Sequence, residues 1–150
     1  MSELREILIN QLNSILDKRI ETANRDIQLA KESRDNETKS TAGDKYETGR
    51  AMVQFELEKS KVQLNKAIQL KKELSQINLN GNFKKAVFGS IVLTSHENYF
   101  ISIGLGKINI GDDSYIAISL ASPIGKLLNN KRVGDNVNFL EKVITITEIL

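Results

Sequence analysis

The strongest constraint on the fold is what the first half of the chain lacks. Residues 1 to about 78 contain no proline and only two glycines, Gly43 and Gly49. Nothing breaks a helix on either side of that pair. Leu4, Leu8, Leu12, Ile15, Ile20, Ala23, Ile27 and Ala30 recur at three- to five-residue steps, which makes one helical face. Met52, Phe55, Val62, Ala67, Leu70, Leu74 and Ile77 make a second. The remaining positions are mostly Lys, Glu, Gln, Asn and Arg. Helices this polar cannot bury a stripe alone. The spacing predicts that residues 1–79 bury the two stripes against each other as an antiparallel coiled-coil hairpin.

The two stripes are separated by "RDNETKSTAGDKYETGR", Arg34 to Arg50, polar and charged in both signs. The hairpin tip is predicted at about residues 34–44, with Thr41 and Asp44 resembling a capping box for the second helix. Helices of about 30–35 residues would extend roughly 45–55 Å, so the tip is expected to stand far from any globular body.

After "INLNGNF" the period changes from helical to two. Gly81 and the asparagines supply a stop and a turn. "AVFGSIVLTS", "NYFISIGLG", "SYIAISLA" and "VITITEIL" are rich in β-branched and aromatic residues and read as strands, with a turn at "IGDDS". "SPIGKLLNNK" reads as one short helix, capped by Ser122 with Pro123 at its first position. The fold class is therefore α+β: a helical hairpin, then a small β-rich domain over residues 83–150. Its core is predicted to include Val87, Phe88, Ile91, Phe100, Ile118, Leu127 and Val137.

Composition removes several function classes. Basic and acidic residues number 21 and 19, so a general DNA- or RNA-coating role is not expected, and no independent DNA binding is predicted. There is no cysteine, hence no disulfide frame, thiolate zinc site or thiol nucleophile. No apolar run approaches the roughly 20 residues that span a bilayer, and "MSELREILIN" has no signal-peptide pattern. A cytoplasmic protein without membrane contact is expected.

A conventional active site is not visible. His96, the single histidine, lies in the turn-like "TSHENY" and reads as a surface residue. "GLGKIN" lacks the strand–turn–helix setting of a phosphate loop. No metal site or cofactor of the chain's own is predicted. Two stretches carry open alternatives. Asp35, Glu37, Asp44 and Glu47 near the tip are either a solvated mixed-charge loop or ligands that assist a cation such as Mg²⁺. "ASPIGKLLNNKRVGD" is either a structural corner or a docking surface that exposes Ser122, Pro123, Lys126, Lys131 and Arg132.

The run "SPIGKLLNNKRVGDNV" resembles the signature of the GreA/GreB transcription elongation factors, where Ser-Pro-Ile/Leu-Gly/Ala, a short helix, a basic pair and Val-Gly-Asp recur together. The order of a long helical hairpin, a short link and a β-rich domain also agrees. A second, weaker likeness covers "AKESRDNETKSTAGDKYETGRA". The resemblance implies an FKBP-like C-terminal domain that docks on the rim of bacterial RNA polymerase's secondary channel, while the hairpin passes down it. Ser122, Pro123, Ile124, Gly125, Lys126, Lys131 and Arg132 are the implied docking residues. RNA polymerase is the implied partner, and the transcript 3′ end is met only indirectly.

In family members that stimulate cleavage, acidic tip residues help hold a Mg²⁺ at the polymerase's own active centre, and the metal-assisted reaction hydrolyses backtracked RNA. The chain itself is thus expected not to be an enzyme. At the tip it departs from the family, whose pattern is Asp-Leu-Ser-Glu-Asn-Ala-Glu-Tyr. Aligned on Tyr46, the two acids become Lys39 and Ala42. Aligned on Ala30-Lys31-Glu32, Asp35 replaces the first and Thr38 the second, with Glu37 alongside. A lysine repels Mg²⁺ and an alanine offers it no oxygen, so the resemblance carries over polymerase binding but not the cleavage pair. A non-cleaving occupant of the channel is the alternative. A coiled-coil adaptor unrelated to polymerase is the reading from outside the family. Prolyl isomerase activity is not implied, because packing accounts for most of the aromatic residues in the domain.

Overall fold

The computed structural model describes residues 2–37 and 43–150, with side chains described for 3–36 and 49–150. Two long helices, α1 (Ser2–Glu37) and α2 (Gly43–Leu74), form the expected hairpin. Strands β1 (Ile91–Thr94), β2 (Asn98–Ile101), β3 (Gly106–Ile110) and β4 (Asp113–Ile118) follow. Helix α3 (Pro123–Leu128) precedes β5 (Asn136–Phe139) and β6 (Lys142–Ile149). The architecture is α+β, as the change of period predicts. The Thr41–Asp44 capping box lies outside the described side chains.

The chain divides into two compact units. One is Ser14–Lys71, the distal part of the hairpin, and the other joins Met1–Asn13 to Lys72–Leu150. In the distal unit the buried seam on α2 runs through Leu57, Ser60 and Ala67, with Val53 and Leu64 half-buried. These positions alternate steps of four and three, the spacing of a coiled-coil seam. They face an α1 stripe of Leu16 and Ala23, flanked by half-buried Ile20, Ile27 and Ala30. Asp17 and Lys71 form an ion pair between the two helices. This corrects part of the predicted second stripe, whose Ala67, Leu74 and Ile77 are buried as expected. Met52, Phe55 and Val62 are exposed by 66%, 68% and 65%. They share a heptad spacing with the real seam but sit on another side of the helix. Small Ser60 and Ala67 occupy the seam because small side chains let the helices approach.

The sheet of the other unit has the order β3-β4-β2-β1-β6-β5. Only the β2–β4 pair is parallel, and the remaining pairs are antiparallel. Its core gathers Val92, Ile101, Ile118, Val137, Ile144 and Ile146 under Ile124 and Leu128 of α3. Leu127, predicted in that core, is 37% exposed, and Leu128 takes the inward position. A six-residue helix turns one stripe inward, and the i,i+4 partner of Ile124 is Leu128. Ile91 and Phe100 pair across β1–β2 on the opposite face of the sheet and are fully buried.

Within this same unit Arg5 is 1% exposed. Its Nε donates to the Gly89 carbonyl at 2.8 Å, and Nη1 reaches the Leu79 carbonyl at 3.4 Å. The guanidinium carbon lies 4.9 Å from the centroid of the Phe83 ring, which favours a cation. No carboxylate among the described residues pairs with it, and Nη2 is buried without a partner. Burial pulls the Arg5 pKa below its ordinary value.

The seam assignment has a direct check. Leu57→Ala should lower stability by about 2–5 kcal/mol, because Leu57 is 1% exposed and its removal leaves a cavity. Phe55→Ala, the larger truncation, should stay within about 0.5 kcal/mol. Urea denaturation at low protein concentration, followed by helical circular dichroism, distinguishes the two.

Candidate functional site

The stretch that resembles the Gre signature folds into a corner built around Ser122. After β4 the backbone N–H of Ser122 donates to the Ser119 carbonyl at 3.2 Å. The Ser122 hydroxyl donates to the same carbonyl at 2.7 Å and accepts from the Gly125 N–H at 3.0 Å. It is therefore the N-cap of α3, with Pro123 at the first helical turn. Gly125 is buried, and a Cβ there would lie 2.1 Å from the Ser119 carbonyl oxygen. Only glycine lets the helix lie so close to the preceding turn. Ser122, Ile124 and Gly125 thus hold the corner together from inside.

The far end of α3 is fixed just as firmly. Asn130 takes a left-handed conformation with φ of 65°, and its N–H donates to the Ala86 carbonyl at 2.8 Å. The Ala86 N–H donates to the Lys131 carbonyl at 2.8 Å. The Arg132 N–H donates to Asp135 Oδ2 at 2.7 Å, and the Gly134 N–H donates to the Ile146 carbonyl at 2.8 Å. The two ends of this loop are thus tied, one to Ala86 on the connector before the sheet and the other to Ile146 on β6.

What remains outward is a compact ridge. Pro123, Lys126 and Leu127 are exposed on α3, and Lys131, Arg132 and Val133 are exposed just beyond it. Three cations and three apolar side chains are thus exposed along this stretch, and the nearest acid in sequence, Asp135, is already engaged by a backbone N–H. Such a surface fits an acidic partner surface with an apolar centre. Leu127 and Val133 are the members that the sequence reading missed. For Leu127 the signal was present: with Ile124 and Leu128 facing in, it had to face out.

The tip acids are not brought together by described geometry. Asp35 is exposed in the last turn of α1, with a carboxylate oxygen 3.8 Å from Arg34 Nε. Glu37 ends α1, and Asp44 and Glu47 belong to α2, but their side chains lie outside the described residues. Lys39 and Ala42 lie outside them as well. His96 is exposed in the β1–β2 turn, where its Nδ1 is 3.1 Å from Ser95 Oγ. Among the described residues no helix is long and apolar enough to cross a membrane.

No protein-family model matches the sequence, and no curated protein matches it. Among solved structures the chain is similar to that of the transcription factor Gfh1, at 21% identity and a TM-score of 0.36, with 91% of each chain covered.

The two classes of residue in this corner should separate experimentally. Ser122→Ala should cost about 1 kcal/mol through loss of the cap. Gly125→Ala should cost more, because the backbone must move away from the added carbon. Lys126→Glu, Lys131→Glu and Arg132→Glu should each leave stability within about 0.5 kcal/mol. Thermal denaturation of the set reads all of these.

Proposed function

We propose that the chain is a Gre-like factor that binds bacterial RNA polymerase at the rim of the secondary channel and regulates transcript elongation. The observation that carries this reading is the α3 corner. The run that resembles the Gre signature divides into a buried half, which holds one backbone shape, and an outward half of Pro123, Lys126, Leu127, Lys131 and Arg132, which is free to touch a partner. The helical hairpin that precedes the sheet agrees with the order of the family. Any Mg²⁺ involved is the polymerase's own, and the chain adds no catalytic group. Such a role places the protein in the bacterial cytoplasm, with no contact to membrane or duplex DNA.

Within this reading a factor without cleavage stimulation is favoured over a cleavage activator. Lys39 and Ala42 stand where the family pattern places its two acids when aligned on Tyr46. A cation and a methyl group there provide no ligand for a metal. Asp35, Glu37, Asp44 and Glu47 are the carboxylates near the tip that a cleavage activator would have to use instead.

Co-sedimentation or pull-down with bacterial core polymerase at moderate salt tests the docking. The wild-type chain should be retained, and Lys126→Glu/Lys131→Glu/Arg132→Glu should weaken retention at least about tenfold. A wild-type chain that does not bind, or a triple variant that binds as well as wild type, would overturn the docking mode.

A further inference from the structure

The distal hairpin carries an unpartnered face with opposite charges at its two ends. Lys18, Thr22, Asp26, Leu29 and Ser33 follow one another at three- and four-residue steps along α1. Met52, Glu56, Lys59, Gln63, Lys66 and Leu70 do the same along α2. The two stripes border one side of the helix pair, where they line two shallow grooves. Towards the tip, a groove of about 390 Å³ is floored by Leu29 and Met52 and carries Asp26 and Glu56, with no basic residue among the described residues of its lining. Further back, a groove of about 460 Å³ carries Lys18, Arg19 and Lys66, with no acid in its lining.

Exposed apolar side chains lie in the groove nearer the tip. Leu29 is 55% exposed and Met52 66%. A solvated helix face does not require two such apolar groups side by side.

This pattern is self-complementary. A twofold axis perpendicular to the hairpin, placed between the grooves, sets the acidic groove of one copy on the basic groove of the other, and the reverse. Lys59 lies between Glu56 and Lys66 along α2, and Thr22 lies between Arg19 and Asp26 along α1, so these two residues mark the axis. We propose that two copies of the chain associate side by side and antiparallel through this face, with Asp26 and Glu56 of each copy against Lys18, Arg19 and Lys66 of the other.

From Lys18 to Ser33 the face is about 22 Å long, and two helices are about 20 Å wide, which gives roughly 450 Å² per copy. That footprint is at the small end for a specific interface. Lys59, on the same stripe between the grooves, reduces the charge contrast. The dimer is therefore weak and concentration-dependent, and salt loosens it. This inference does not rest on the polymerase reading, because it uses none of the α3 residues.

Sedimentation equilibrium of the full chain, from about 1 to 300 µM, tests it in low and high salt. Wild type should pass from monomer to dimer, with a midpoint that rises with salt. Asp26→Lys/Glu56→Lys and Lys18→Glu/Arg19→Glu/Lys66→Glu should each raise the midpoint at least about tenfold, because each copy then repels itself. Mixing the two variants should restore association, which also shows that both are folded. Leu29→Glu, exposed in the groove and outside the buried seam, should abolish the dimer while leaving helical content unchanged. The proposal is overturned by a wild-type chain that stays monomeric throughout, which would leave the face to a different partner. It is overturned equally by charge variants that dimerise as wild type does, or by a mixture that remains monomeric.

Discussion

A guanidinium buried without a counter-charge joins the beginning of this chain to its C-terminal body. Burying a cation is costly, and Arg5 offsets that cost with two backbone carbonyls and one aromatic face rather than with a carboxylate. The carbonyls belong to Leu79 and Gly89, close to the two ends of the connector that leads from α2 to β1. Between them Phe83 lies against the guanidinium. Gly81 and Gly89 leave room for its ring, since a Cβ on Gly81 would come within 2.5 Å of it. The path of the connector is thereby fixed. Ala86, on that connector, exchanges backbone hydrogen bonds with Asn130 and Lys131 at the end of α3. The shape of the α3 corner thus depends, through a short chain of contacts, on the fifth residue of the sequence.

Much of this was legible in the sequence, and the misses have physical causes. The helical hairpin followed from the absence of proline and the long amphipathic period. The α3 cap followed from Ser122 before Pro123, because a serine hydroxyl and a missing N–H both suit a helix start. The second seam followed only in part, because α2 carries two heptad-spaced stripes. Ala67, Leu74 and Ile77 are buried as expected, but Met52, Phe55 and Val62 are more hydrophobic letters than Ser60, which the real seam takes for its size. Hydrophobicity ranked the stripes in one order and close helix approach ranked them in the other. Arg5 was not singled out from the sequence for a related reason. It falls in step with Leu8 and Leu12, which points inside, while its charge argues for water.

The candidate site shows the same division between what letters reveal and what packing decides. A run such as Ser122 to Arg132 cannot state which members hold the backbone and which meet a partner. The hydrogen bonds of Ser122, the clearance at Gly125 and the burial of Ile124 assign those three to the corner. The outward cations are then left for recognition, around Leu127 and Val133. At the hairpin tip, Lys39 and Ala42 stand where the family pattern, aligned on Tyr46, has acids. Under the proposed function, docking kept and metal ligands lost would describe a factor that occupies polymerase without hastening cleavage.

The most direct test adds the purified chain, with Mg²⁺, to halted and backtracked elongation complexes of bacterial RNA polymerase. Retention on the washed complexes and transcript length are followed together. The account predicts that the chain is retained while the RNA shortens no faster than in its absence. A chain that washes away would contradict the docking, and accelerated loss of the 3′ end would contradict the reading of the tip.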